Sequence, residues 1–358
     1  MTGDTVGGVW TFALELAEGL GERDVEIILA TMGGEPSDAQ RAEAAAISNL
    51  RLLPSAYKLE WMEDPWEDVE ASGAWLMDLE RRFSPDVIHL NSYGHGSLPW
   101  QAPVLLTAHS CVLSWWAGVK RTPVPPEWRR YRRSVAATLA GADLLTAPST
   151  AMLRNMWRYE TVLPPSRIVP NGRNAAKYRA SAKQPFILAA GRLWDEAKNT
   201  AALARIAARL QWPVYLAGDD RSRSGAAADL RGCRTLGRLS AAELSDWYAR
   251  AGIYALPARY EPFGLSALEA ALSGCALVLG DIESLREIWQ DAAVFVDPDD
   301  DTALEAALRD LIRNDEWREG MAQRASARAR YFPASRMTAS YYDVYVSLVE
   351  SRRSVCVS

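Results

Sequence analysis

The chain has 358 residues and a formal net charge of -5; it is too long for one ordinary core and lacks the basic footprint of a general nucleic-acid binder. Its four cysteines (Cys111, Cys233, Cys275, Cys356) form no CxxC pair and no metal-ligand spacing, which fits a reducing compartment and argues against a disulfide scaffold or a zinc site. No apolar run approaches the ~20 residues of a membrane span, and the N-terminus lacks the basic-then-apolar pattern of a signal peptide, so the expected location is the cytoplasm.

In chain order, Gly7-Gly8 stands before a helix with Phe12, Leu14, Leu16 and Leu20 apolar, as in a strand–glycine turn–helix unit. Met1 to Val6 is polar and short, whereas strands usually run ~5–6 residues. The first strand is therefore expected to be missing, lost upstream of a late start. Strands are expected at 25–31, 86–91, 103–109 and 143–147, with a helix over about 65–83. The pattern restarts after 169–184, which holds polar residues and Pro170-Asn171-Gly172 and reads as a linker. Further strands follow at 185–190, 213–217, 253–256, 276–279 and 293–296, with helices over 200–210 and 241–251. Near-continuous apolar strands alternating with helices imply parallel sheets covered on both faces. The division is an N-terminal Rossmann-like domain over 1–168, a linker over 169–184, a C-terminal Rossmann-like domain over 185–334, and a helix and tail over 335–358. Tyr341, Tyr342, Tyr345 and Leu348 share one side of that last helix.

Glu261-Pro-Phe-Gly-Leu-Ser-Ala-Leu-Glu269 is the most specific motif. It follows a strand, on the kind of loop where open α/β sheets bind ligands. Gly264 permits close backbone approach, and the helix that begins there offers unpaired amides to an anion. Ser266 to Glu269 also fits a capping box, in which Glu269 would only satisfy its own helix end. Upstream, Gly191-Arg192 ends a strand and Lys198-Asn199 opens a helix. Arg192 suits bidentate phosphate binding and Lys198 a point charge. The bland reading pairs these cations locally with Asp195 and Glu196. Between Ser114 and Arg133, Trp115, Trp116, Arg129 and Arg130 belong to a Trp- and Arg-rich stretch. It suits a membrane surface or an anionic lipid-linked acceptor, or a solvated basic helix with tryptophans packed inward.

With these motifs in this order, the chain resembles the retaining glycosyltransferases of family 4, which have the GT-B fold: two Rossmann-like doubly wound parallel-sheet domains facing a cleft. The resemblance rests on Val6-Gly7-Gly8-Val9, His109, Pro170-Asn171-Gly172, Gly191-Arg192-Leu193 through Lys198-Asn199, and Glu261 through Glu269. It implies a transferase that moves a sugar from a UDP-, GDP- or ADP-sugar to a saccharide, lipid-linked or small-molecule acceptor. Polysaccharide or glycoconjugate synthesis would be its setting. No cofactor or metal is implied, and peripheral contact with the inner face of the membrane rests on the Trp- and Arg-rich stretch alone.

By the same resemblance, Gly7 and Gly8 lie by the donor phosphates and His109 meets a donor-sugar hydroxyl. Arg192 and Lys198 neutralise the diphosphate, and Glu261 contacts the transferring sugar beside the amides of Phe263, Gly264 and Leu265. Ser266 approaches phosphate and Glu269 binds ribose. Gly218 and the main chain of Gly237, Arg238 and Leu239 face the nucleotide, and Asn171 belongs to the linker that lets the domains close. Gly218 is followed by Asp219, Asp220 and Arg221 instead of a second glycine, so the base pocket is expected to differ from the family's. Two other readings stay open. A GT-B phosphorylase or epimerase would require inorganic phosphate or act without an acceptor. A non-catalytic sugar-nucleotide-binding subunit would bind and not transfer.

Overall fold

The computed structural model describes residues 1–221, 225 and 227–356; Val357 and Ser358, at the end of the expected tail, lie outside the described residues. The chain divides into two compact units. The first holds Met1–Ala117, Thr122–Gly172 and the C-terminal segment from Ala334; the second holds Gly118–Arg121 and Arg173–Pro333.

In the first unit, strands β1 (Thr2–Asp4), β2 (Ile27–Met32) and β3 (Leu50–Pro54) form one parallel sheet. Strands β4 (Ile88–Leu90), β5 (Val104–Thr107), β6 (Leu144–Ala147) and β7 (Ser166–Ile168) form another. The expectation of a missing first strand is wrong. Three polar residues suffice because Thr2, Gly3 and Asp4 pair with Ala30, Thr31 and Met32 of β2. On the other side, Asn91 at the end of β4 donates to Thr2 twice, N to Oγ1 (2.8 Å) and Nδ2 to O (2.7 Å). Across both sheets the strands thus run 3-2-1-4-5-6-7, a doubly wound order.

The helix Gly8–Gly21 leaves β1 and buries Phe12, Leu16 and Leu20. These share a core with Met337, Tyr341, Val344 and Leu348 of the C-terminal helix Ala334–Cys356. His89 on β4 is structural: Nδ1 meets Tyr345 Oη and Nε2 meets Thr107 Oγ1, each at 2.7 Å. His95 is likewise held, by Ser72 Oγ (2.9 Å).

The second unit is one six-stranded parallel sheet: β8 (Gln184–Ala190), β9 (Val214–Ala217), β10 (Arg234–Gly237), β11 (Ala251–Leu256), β12 (Ala276–Gly280) and β13 (Val294–Val296), in the order 10-9-8-11-12-13. Along β8, Phe186, Leu188 and Ala190 enter one core and Ile187 and Ala189 the other. Both faces are covered, which is why the strand reads as a continuous apolar run. The sheet winds outward from β8 on one side and from β11 on the other. Their junction is the switch point at which such sheets open a crevice at their carboxyl ends. The chain enters and leaves this unit side by side: Arg173 N donates to Phe332 O (3.0 Å), and Arg173 bridges to Pro333.

Candidate functional site

The loops after β8 and β11 flank that switch point, and they carry Arg192, Lys198 and Glu261. Three links lock them together. Arg259 N donates to Ala197 O (2.9 Å). Asn199, in the left-handed region at φ 55°, donates from Nδ2 to Pro257 O (2.9 Å) and Pro298 O (2.7 Å). Lys198 Nζ then forms an ion pair with Glu261 Oε2. Side-chain exposure of this pair is only 18% and 11%. The other oxygen, Glu261 Oε1, accepts from Gly264 N (3.0 Å) and Phe263 N (3.4 Å). Ser284 Oγ holds the Glu261 carbonyl. Glu261 is therefore a carboxylate fixed by three donors, and two amides expected to face a ligand are spent on it.

Gly264 is the N-cap of the helix Leu265–Leu272, at φ 89°, and that helix has no side-chain cap. Its first internal bond runs from Leu268 N to Gly264 O (3.0 Å), so the amides of Leu265 and Ser266 are those a helix start leaves for an outside acceptor. The capping-box reading fails here. Ser266 Oγ instead accepts from Tyr254 Oη (2.7 Å). Glu269, buried, pairs with Arg173: Nε donates at 2.9 Å and Nη2 also donates, both to Oε1.

Arg192 follows its local reading. Its Nη2 donates to Asp195 Oδ2 (2.8 Å), and its guanidinium lies over the Trp194 ring. The side chain stays 35% exposed, so it keeps donors for a second anion. Glu196 pairs with Lys120 (2.7 Å). Gly191 and Gly218 stand directly after β8 and β9. Both have positive φ, 145° and 135°, and a Cβ on Gly218 would collide with the Gly191 carbonyl oxygen. Gly218 N donates to Gly237 O (2.8 Å). Gly237 and Arg238 are exposed and Leu239 is half-buried.

In the first unit, the β1 turn ends in Gly7, extended, and Gly8 opens the helix. His109 Nε2 meets Asn91 Oδ1 (2.7 Å). Because Asn91 Nδ2 donates to Thr2, its Oδ1 faces the ring; Nε2 therefore carries the proton and Nδ1 the lone pair. Burial pulls the imidazole down to about 3, so it stays neutral. Phe12 packs on its ring at 4.5 Å. Asn171 is buried with Oδ1 unpartnered.

In the helix Arg129–Gly141, Tyr131, Val135 and Leu139 are buried while Arg129, Arg130, Arg132 and Arg133 are exposed. Arg130 lies over Trp66 (4.5 Å) and pairs with Glu70. Trp115 and Trp116 are half-buried in Val112–Val119, with ring centroids 5.9 Å apart.

The chemistry-bearing residues that sequence reading overlooked are Arg173, Asn199 and Asn91. Asn199 stood inside the quoted motif, and its neighbours gave no hint of a brace. Among the described residues no helix is long and apolar enough to cross a membrane.

The family model described as Glycosyltransferase Family 4 matches residues 6–177, and that described as Glycosyl transferases group 1 matches residues 184–314. A D-inositol 3-phosphate glycosyltransferase of Xylanimonas cellulosilytica is 27% identical over 397 residues, covering 98% of this chain and 94% of the relative. A phosphatidyl-myo-inositol mannosyltransferase of Mycolicibacterium smegmatis is 26% identical, covering 76% of this chain and 74% of the relative. An O-antigen chain mannosyltransferase B of Escherichia coli is 34% identical over 112 residues; the match spans 31% of this chain and 29% of that protein. Among solved structures, the sucrose-phosphate synthase of Thermosynechococcus elongatus superposes with a TM-score of 0.80 at 16% identity, over 98% of this chain and 99% of the other. Anabaena Alr3699/HepE in complex with UDP-glucose gives 0.76 at 15%, over 97% and 99%.

Proposed function

Because the chain is a family 4 glycosyltransferase of GT-B fold, we propose that it is a retaining enzyme that takes a sugar from a nucleoside diphosphate and needs no metal ion. The observation that carries this reading is the Lys198–Glu261 pair at the β8–β11 switch point, beside a capless helix start. Breaking a sugar–phosphate bond leaves positive charge on the sugar and negative charge on the diphosphate. Lys198, Arg192 and the amides of Leu265 and Ser266 are placed to stabilise the diphosphate. Glu261, held by two amides and a lysine, is a rigid anion for the sugar's cationic character. Glu269 is assigned to the ribose, and Gly218, Gly237, Arg238 and Leu239 to the nucleotide's edge. In a retaining scheme the leaving phosphate helps take the acceptor proton, and no separate base is assigned. In the first unit, neutral His109 offers Nδ1 to a sugar hydroxyl.

The Anabaena protein's UDP-glucose complex makes UDP-glucose the first donor to test. Transfer should be assayed with UDP-, GDP- and ADP-sugars against saccharide and lipid-linked acceptors, with and without EDTA. Turnover that persists in EDTA is expected. Glu261→Ala and Lys198→Ala should each cut kcat about 10²–10³-fold, as does removing one preorganised electrostatic group, in a protein that still folds cooperatively but melts at a lower temperature, because each change leaves the partner charge buried and unpaired. Near-native transfer by either variant would remove the assignment.

The exposed arginines of Arg129–Gly141, with Trp115 and Trp116 close in sequence, favour an anionic lipid-linked acceptor in polysaccharide or glycoconjugate synthesis at the inner face of the membrane. Co-sedimentation with phosphatidylglycerol vesicles should fall in Arg129→Glu/Arg133→Glu. Equal sedimentation would leave a soluble acceptor as the better reading.

A further inference from the structure

Arg173 stands directly after Asn171-Gly172, and its guanidinium is committed to the carboxylate that the donor reading gives to the ribose. A guanidinium facing a carboxylate usually forms two parallel bonds to its two oxygens. Here Nε (2.9 Å) and Nη2 both reach Oε1 of Glu269. No described residue donates to Oε2, and Oε2 is not among the sealed polar atoms of the core. The two side chains are only 10% and 11% exposed, a depth at which a charge survives by being paired. Arg173 is itself anchored. Its main chain is tied to Phe332 and Pro333, and its guanidinium lies 5.8 Å from the centre of the Tyr178 ring. Glu269 sits one turn into the helix that starts at Gly264, on the carboxyl side of the sheet.

We propose that Arg173 is a positioning residue for the nucleotide's ribose: by holding Oε1 it fixes the orientation of the Glu269 carboxylate and leaves Oε2 as an acceptor for the 2′- and 3′-hydroxyls. The inference rests on the donor reading above. An ionised oxygen with no protein donor can accept from two hydroxyls at once. A carboxylate swung away from that position cannot. Arginine suits the task because a rigid plane delivers two N–H groups to one point, which a flexible ammonium does not.

The test is calorimetric binding to the full-length protein of UDP, GDP and ADP, then of the 2′,3′-dideoxy form of whichever binds best. Wild type should prefer the ribose form by about 10- to 100-fold, the scale of hydrogen bonds to a charged group. Arg173→Met should bring the ribose form down to the dideoxy form's affinity while leaving the dideoxy affinity unchanged. Glu269→Gln should do the same, and the double variant should lose nothing more. Arg173→Lys should recover an intermediate preference. In turnover, the loss should fall on donor KM and spare kcat. A wild-type ribose preference in Arg173→Met would overturn the proposal. If melting shows that Arg173→Met does not fold, Arg173→Lys decides: an undiminished preference there overturns it equally. Failure of the wild type to bind any of the three nucleotides is a different result, and it defeats the donor reading itself.

Discussion

Gly218 carries a constraint that no other residue type can meet. Its φ of 135° and its contact with the Gly191 carbonyl leave no room for a side chain. Gly218→Ala is expected to destabilise the second unit by about 2 kcal/mol or more, from strain together with the clash, and to weaken nucleotide binding in parallel. Urea denaturation followed by nucleotide titration would show both. Ser266→Ala should behave differently. The helix Leu265–Leu272 starts after Gly264 and uses no side-chain cap, and Tyr254 keeps a second acceptor in Ala190 O (3.3 Å). The cost should be about 1 kcal/mol, one hydrogen bond, with the helix intact by circular dichroism. The sequence allowed Ser266 and Glu269 to be a cap because local spacing was all it offered. The true partner of Glu269 lies 96 positions away, and no local pattern announces such a pair. Arg192 and Asp195, three apart, were readable for the opposite reason.

At the scale of elements, strands carrying an apolar run were legible and the others were not. β2, β4, β5, β6, β8, β9, β11, β12 and β13 all stand where apolar runs put them. β3, β7 and β10 went unread; each ends its sheet, and residues on an edge have one neighbour and little need of an apolar pattern. β1 was denied for being polar, yet its pairing comes from its neighbours on both sides. Asn91 is the hinge of that arrangement, serving Thr2 and His109 at once. Asn91→Leu should leave the Thr2 carbonyl and the His109 Nε2 proton without partners, at about 1–3 kcal/mol each. Chemical denaturation should show the loss, and the His109 ring resonances should report the freed imidazole.

For the molecule as a whole, acid should act unevenly. All three histidines lie in the first unit. Burial pulls His95 to about 4, His109 to about 3 and His89 well down. Unfolded histidines take up protons near pH 6.5 and these folded ones do not. Stability therefore falls as pH drops below ~6.5, by about 1.4 kcal/mol per pH unit for each. Glu60 opposes this. Burial raises its carboxyl to about 7, so between pH 7 and ~4.5 the folded state holds the proton and gains from acid. One such group does not offset three. Hydrogen exchange between pH 7 and 5 should show protection lost first in 1–117 and 122–172, and later in 173–333. Uniform loss would contradict this.

The backbone link between Arg173 and Phe332–Pro333 has a topological consequence. A segment whose two ends meet is an insertion closed at its own neck, and such a segment can be excised or circularly permuted without stretching its ends. Its hydrophobic cores draw on no residue outside 186–332. The lost partners of Gly118–Arg121, Glu196 and Asp299, form exposed ion pairs of small value. A gene fragment encoding 173–333 should therefore yield a protein with its own cooperative melt, and a new start site placed in the 238–240 turn, with the old ends fused, should do so as well.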